Sequence, residues 1–407
     1  MTDLSRIYSL KYGKHSSTTD FTATPGTLVQ LEPQNMPSFI SPEREKLTRE
    51  SYNSAGRYLP SIVGRKMLDT YNLELLLRGM NGNTGAAVDA EAASEIGSML
   101  DSLTGTDSVD PAGASTTIAG GSGATPSLQV ADGTNIAVGD GVLFPTSVGT
   151  YAREVVAKPS ADVCTLDRQY SGTPVNGTVV YRSCHWAVNP LIHEHKHLYF
   201  RAEHESGRRD FFGCMGTASI SFAMNQIVKL ISTWKATDIT DDTDADPTFT
   251  APTVGGHIIA INSLLYIGDD AWTFRDINLT LGGQAVARAC QNGTNGILGY
   301  SVQDKMPMFT GKFYKGTTSG LGEIADSSGN LSINKLQAWD KSAGQSMATY
   351  DLGLQVGASP GACLYVRAPS LGWTKATPSV TDGLDTIDVE GTCFSPSSGG
   401  SLRLHIF

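Results

Sequence analysis

The stretch Gly357-Ala358-Ser359-Pro360-Gly361 spells G-x-S-x-G, the turn that presents a nucleophilic serine in α/β-hydrolases. Asp382 or Asp385 and then His405 follow it in the chain order such a triad requires. Backbone chemistry opposes that reading. The residue after the serine must offer its N–H to the oxyanion, and here it is Pro360, which has none. The elbow should also turn from strand into helix, whereas Ala362 to Arg367 has the composition of a strand. The sequence predicts a Gly/Pro turn here and no enzyme.

Metal chemistry has two candidates. His193, His195 and His197 alternate, so on a strand they share one face, and imidazole is a common metal ligand. At about 3.3 Å of rise per residue the outer two lie about 13 Å apart. Only an adjacent pair could share an ion, with His204 or His185 as further donors, and a polar strand face is the plainer reading. Asp242, Asp244 and Asp246 have the spacing that opens a calcium loop, but Pro247 stands where that loop needs Gly and Thr253 where it needs a bidentate Glu. An EF-hand is excluded, and a solvated acidic loop is expected instead. We therefore assign no catalytic, cofactor-binding or metal-ligating residue, and expect no cofactor.

Other motifs carry less. No P-loop or dinucleotide fingerprint is present, since the Gly-rich run 120–123 lacks both the Lys-Ser/Thr and the strand-to-helix setting. The sequons at Asn176, Asn278 and Asn292 matter only in a secretory context. Cysteines at 164, 184, 214, 290, 363 and 393 form no CxxC pair and are expected as buried free thiols. No apolar run approaches the about 20 residues of a membrane helix, and the first residues show no basic segment leading into an apolar one, so the chain reads as neither membrane-spanning nor secreted.

The elements that must position these residues are mostly strands. The 407 residues include 44 Gly and 18 Pro, a turn-rich balance favouring many short strands, and the length suggests two or three folded units. Residues 1–65 read as an extended arm. Residues 66–127 begin a main unit: a strand signal in which Leu73, Leu75 and Leu77 alternate with polar residues, a helix over 86–103, and a Gly/Ser/Thr-rich linker from 105 to about 127. In the helix Ile96, Met99, Leu100 and Leu103 form the apolar face, and Asp89, Glu91, Glu95 and Asp101 are expected on the exposed one. Residues 128–183 read as an inserted small all-β domain that leans on its host. Residues 184–407 complete the main unit with alternating strands, an Asp-rich loop at 236–256, and a terminal strand with Leu402, Leu404 and Ile406 inward.

Taken in order, Tyr71 to Gly79, the 86–103 helix, the insert with Val138-Gly139-Asp140 and Thr165-Leu166-Asp167, and the block His197 to Trp234 resemble the tail tube protein of long-tailed, siphovirus-type bacteriophages. The most telling stretch is Leu198 to Phe222, in which a polar hairpin leads through Gly213-Cys214 into an alternating strand. Ala260 to Tyr314 is similar to the family's later half, with Leu279 to Gly283 and Gly299 to Lys305. The likeness covers about Leu59 to Phe407 and rests on order rather than on one motif; the N-terminal arm and the Asp-rich loop have no counterpart.

The resemblance implies a mainly β fold, an antiparallel β-sandwich or barrel with one flanking helix, whose sheets join those of five sister copies so that homohexameric rings enclose a β-barrel lumen. It implies a virion structural protein, assembled in the host cytoplasm into the viral tail. Its partners are itself, tape measure, terminator and distal tail proteins, and double-stranded DNA that passes during genome ejection without specific binding; no membrane is involved. The net charge of −10 suits a conduit, because a lumen studded with Lys and Arg would hold phosphates. The alternatives are a carbohydrate-binding virion adhesin and another tail ring protein, distal or baseplate, of the same fold.

Overall fold

The computed structural model describes residues 7–15, 24–34, 43–47, 62–67, 71–123, 125–188, 196–204, 207–242, 255–268, 270–290, 297–303, 305–314, 349–395 and 400–407. It is mainly β, with antiparallel pairing throughout, and has a large sheet carrying a small closed barrel, together with two separate strand pairs, Glu43–Leu47 with Ile62–Met67 and Gln284–Ala289 with Ile297–Gln303.

Two long strands organise the large sheet by changing partners along their length. Gly207–Ala223 pairs through its first half with Leu198–His204 and Asp238–Asp242, and through its second half with Lys229–Lys235 and Phe274–Thr280. The change falls at Gly213, whose φ of 58° few other residues tolerate, and Gly216, where a Cβ would stand 2.6 Å from the Trp234 ring. Ala362–Thr381 pairs first with Thr349–Ser359 and Leu402–Ile406, then with Leu384–Cys393. The sheet's main path runs from Asp270–Trp272 to Val29–Leu31. Alternation gives each strand an inward row, and one core joins Leu73, Trp186, Phe222, Trp234, Leu354 and Leu404.

The barrel closes in the order Val163–Leu166, Ser127–Val130, Thr116–Ser122, Val179–Arg182, Gly141–Pro145, Thr150–Ser160. Its own core contains Leu128, Val142, Phe144, Val155, Cys164 and Val180. It rests on the sheet through Leu143 and Ala152, which pack with Cys363, Tyr365 and Phe407.

Several expectations need correction. The barrel starts at Thr116, inside the segment read as flexible linker, because Thr116–Ser122 is a strand paired with Val179 and Val180. Its glycines are packing requirements rather than hinges: a Cβ on Gly121 would meet the Ser127 carbonyl at 2.6 Å. The single helix over 86–103 is two short ones, Ala90–Ala93 and Gly97–Thr104. The break has a local cause. The Ala93 carbonyl, which would receive the Gly97 N–H, accepts from Asn81 N at 2.9 Å, and the Ser94 hydroxyl accepts from Ile96 N at 3.3 Å. All eight residues of the second helix are buried, so Asp101 lies inside; Glu95, before it, is buried too.

The N-terminal arm is not simply extended chain. Ile7–Lys14 is a sheet strand between Leu198–His204 and Val29–Leu31, with Leu10 and Tyr12 inward. The Asp-rich loop begins as the strand Asp238–Asp242, whose acids meet the neighbouring strand: Asp241 pairs with Arg209 at 2.5 Å and Asp242 with Arg208 at 2.8 Å. Residues 243–254 lie outside the described residues. The terminal strand Leu402–Ile406 places Leu402, Leu404 and Ile406 in the core, as the alternation predicts.

Candidate functional site

The densest polar chemistry lies where barrel meets sheet. The strand Thr150–Ser160 brings Arg153 and Glu154 to the boundary, and Val163–Leu166 leads into Asp167 and Arg168. From the sheet come Asp351, Gln355, Tyr365, Arg367, Arg403 and His405. The Glu154 carboxylate accepts from Arg367 Nη1 at 2.7 Å and from Arg403 Nη1, and lies 3.3 Å from His405 Nε2. Asp167 accepts from Arg168 Nε at 2.8 Å and from the Tyr365 hydroxyl, and Arg168 Nη2 donates to Asp351 at 2.6 Å. Gln355 closes the seam, accepting from Ala152 N at 2.8 Å and donating to the Thr150 carbonyl at 3.0 Å.

Burial and charge compete here. Burial alone raises a carboxyl, yet for Glu154 the His405 ring, Arg367 and Arg403 outweigh it and the group ends below its ordinary value. Burial is likewise outweighed at Asp167 by Arg168, Arg153, Arg367 and the Tyr365 hydroxyl, which bring it down to about 2. Asp351 goes the other way: desolvation exceeds the help of Arg367 and Arg168, and its carboxyl is raised. His185, whose ring centroid is 5.1 Å from that of His405, is lowered to about 3 by burial, by His405 and by Arg403, so it is neutral near pH 7.

Within this cluster a serine, a histidine and a carboxylate stand in line. Ser183 Oγ is 3.1 Å from His405 Nδ1, and the far ring nitrogen faces Glu154. Nucleophile, base and orienting acid are the parts of a covalent catalyst. Access is missing: Ser183 is 2% exposed, His405 and Glu154 are 0%, and Gly141 sits so close that a Cβ on it would fall 2.4 Å from Ser183 Oγ and 2.6 Å from His405 Nδ1. No substrate carbonyl reaches Oγ in this geometry. The arrangement fixes the barrel to the sheet. Arg182 extends the fixation, donating to the carbonyls of Gly85, Ala112, Gly113, Ala114 and Asn135 at 2.6–3.2 Å.

Of the sequence candidates, Ser359 is exposed and paired with Ala362 across a hairpin whose turn is Pro360-Gly361; the φ of 76° at Gly361 fits a type II turn. Asp382 caps a different hairpin, 74% exposed and paired with Arg275, and the Asp385 side chain lies outside the described residues. Among the described side chains, His405 is thus the member of that triad inside a polar cluster, and its neighbours are Ser183 and Glu154. His193 and His195 lie outside the described residues. His197 is buried, its Nε2 is 3.1 Å from the Tyr300 carbonyl, and burial lowers it to about 4. Asp244 and Asp246 also fall outside, and Asp242 is held by Arg208. Among the described residues, no three His, Cys, Asp or Glu side chains converge to hold an ion. Cys164, Cys184, Cys214, Cys363 and Cys393 are buried free thiols, while Cys290 is partly exposed.

Sequence reasoning missed Ser183, Glu154, Asp167 and the arginines around them. The available signal was charge in the wrong phase: Arg153-Glu154 and Asp167-Arg168 interrupt apolar runs, and Arg367 and Arg403 sit within strands of Leu, Val and Ile. No protein-family model matches the chain, and no curated protein matches it in sequence.

Proposed function

We propose that the chain is a structural subunit, the tail tube protein of a long-tailed bacteriophage, which forms homohexameric rings that stack into the conduit for genome delivery. The observation that carries this reading is the open path of the large sheet, which among the described residues ends at Val29–Leu31 on one side and Asp270–Trp272 on the other. Edges of this kind leave N–H and C=O groups that a sister subunit's strand satisfies, and a head-to-tail contact that closes by rotation makes a ring. The closed barrel offers no such edge and sits as an attached module. Also in favour, the one serine–histidine–carboxylate alignment described is sealed from solvent.

In this reading the ring encloses a lumen whose wall does not grip phosphate, in keeping with the net charge of −10. Tape measure, terminator and distal tail proteins are the expected partners. Negative-stain microscopy of the purified protein tests it. Six-fold rings or tubes are the expected image, and a monodisperse monomer at high concentration, even with other tail proteins supplied, overturns the proposal.

A further inference from the structure

Four Asn-Gly pairs occur in the chain. Asn292-Gly293 and Asn295-Gly296 lie outside the described residues, and Asn81-Gly82 and Asn176-Gly177 lie within them. Both described pairs are exposed in turns whose glycine has a positive φ, 69° at Gly82 and 78° at Gly177. Space is open at both, with no heavy atom within 4 Å of a Cβ built on either glycine. The two differ in their hydrogen bonds. At the barrel turn Gly177 N donates to the Ile118 carbonyl at 2.8 Å, and Ile118 N donates back to the Thr178 carbonyl at 2.8 Å. Thr178 N and Oγ1 also donate to the Val175 carbonyl, at 3.3 and 2.6 Å. At the other turn the bonds stop short of the pair's own linkage: Met80 N donates to the Phe407 carbonyl at 3.0 Å and Asn81 N to the Ala93 carbonyl at 2.9 Å. Among the described residues, neither the Gly82 N–H nor the Asn81 side-chain amide has a partner.

We infer that Asn81 is a site of spontaneous conversion to isoaspartate, and that the fold protects Asn176 from the same reaction. The Gly82 nitrogen gives its proton to hydroxide and attacks Asn81 Cγ, with no side chain on the glycine to obstruct it. The N–Cγ bond forms, the Cγ–Nδ2 bond breaks, and the amide nitrogen takes a proton from water and leaves as ammonia. Water then opens the five-membered imide. Opening at the Asn81 backbone carbonyl leaves the chain running through Cβ and Cγ as isoaspartate, and opening at Cγ leaves aspartate. At Gly177 the attacking N–H is already given to Ile118, so the turn must open before the nitrogen can react. The product carries a carboxylate in place of a neutral amide and one more backbone carbon. It falls in the link between the Phe407 contact of Met80 and Asn83, whose Nδ2 donates to the Arg182 carbonyl at 3.1 Å. An isoaspartyl carboxyl methyltransferase is the class of enzyme that takes such a site as substrate. The inference stands apart from ring assembly and holds whether or not the chain forms a tube.

The test is timed incubation of the full chain at mildly alkaline pH, followed by proteolysis and mass spectrometry of the peptides that hold each pair. An isoaspartyl methyltransferase with a labelled methyl donor scores the isomer in each peptide. Asn81 should convert about five-fold or more faster than Asn176, the factor expected from one hydrogen bond that must open first. In concentrated urea, where neither turn persists, the two rates should come within about two-fold of each other. No conversion at Asn81, or conversion at Asn176 as fast in the folded chain, overturns the proposal. A preference for Asn81 that persists undiminished in urea overturns it too, because the selectivity would then belong to the neighbouring residues and not to the fold.

Discussion

Glu154 of the barrel and Arg367 of the sheet meet at 2.7 Å across the boundary between the two, with the Glu154 side chain 1% and the Arg367 side chain 12% exposed. A buried pair gains little over a well-packed apolar one, yet removing one partner leaves the other charged and desolvated. The junction therefore acts as a register device: the barrel seats in the one orientation that satisfies Glu154, Asp167 and Asp351 together.

Glu154→Gln should accordingly destabilise the chain by about 3 kcal/mol, because Arg367, Arg403 and His405 all lose the Glu154 charge, although Arg367 keeps Asp351 at 2.6 Å. Urea unfolding measures it. Adding Arg367→Met should cost less than the sum of the two single changes, and simple additivity would show that the pair is not coupled.

The acid response of the junction follows from Asp167. Its folded value of about 2 lies below the ordinary 3.8, so its contribution is fully present above about pH 4 and is lost as pH falls toward 2. For a side chain that is 0% exposed, the shift corresponds to roughly 2 kcal/mol. Asp351, raised by burial from 3.8, acts above that pH and leaves this window to Asp167. Asp167→Asn should flatten the stability loss between pH 4 and 2; an unchanged slope would place the acid sensitivity elsewhere.

The strands were the legible part of this fold. Leu73, Leu75 and Leu77, and Leu402, Leu404 and Ile406, announce an inward face by period-2 spacing alone. The junction was not legible, since Glu154 and Arg403 are about 250 positions apart and nothing local ties them. The helix was misjudged for a related reason: Glu95 and Asp101 look solvent-facing by period, but Lys14, 87 positions away, pairs with Asp101 at 2.9 Å. Composition misled at Thr116–Ser122, where Gly-rich low complexity hid a barrel strand. The G-x-S-x-G segment, by contrast, reads from sequence as a Gly/Pro turn leading into a strand, and Ser359 sits exposed in such a hairpin.

That turn offers a contrast between nucleophile and packing. Ser359→Ala should leave stability within about 0.5 kcal/mol and remove no hydrolytic activity, as expected of an exposed turn residue. Gly79→Ala should cost about 1–3 kcal/mol, because its new Cβ would lie 2.2 Å from the Gly361 backbone, which is fixed by the bond from Gly256 N to the Gly361 carbonyl at 2.7 Å. Esterase activity in wild type that disappears in Ser359→Ala would reverse this assignment.

Glu95 shapes the stability profile between mildly acidic and neutral pH. Its side chain is 3% exposed in the turn between the two short helices, and Arg78 Nη1 approaches it only to 3.8 Å while binding Glu32 more closely. Desolvation outweighs Arg78, Glu32 adds repulsion, and the carboxyl is raised from 4.5 to about 7. Between those values the unfolded chain has given up the proton and the folded chain still holds it. Stability must therefore fall as pH rises from about 4.5 to 7 and level off above. The full change is on the order of 3 kcal/mol. Glu95→Gln keeps the shape of the protonated acid and has no proton to lose, so it should unfold at higher urea than wild type at pH 8 and match it near pH 4. Equal stability of the two proteins at pH 8 would mean that Glu95 ionises in the folded chain without penalty, with Arg78 supplying the charge that burial withholds.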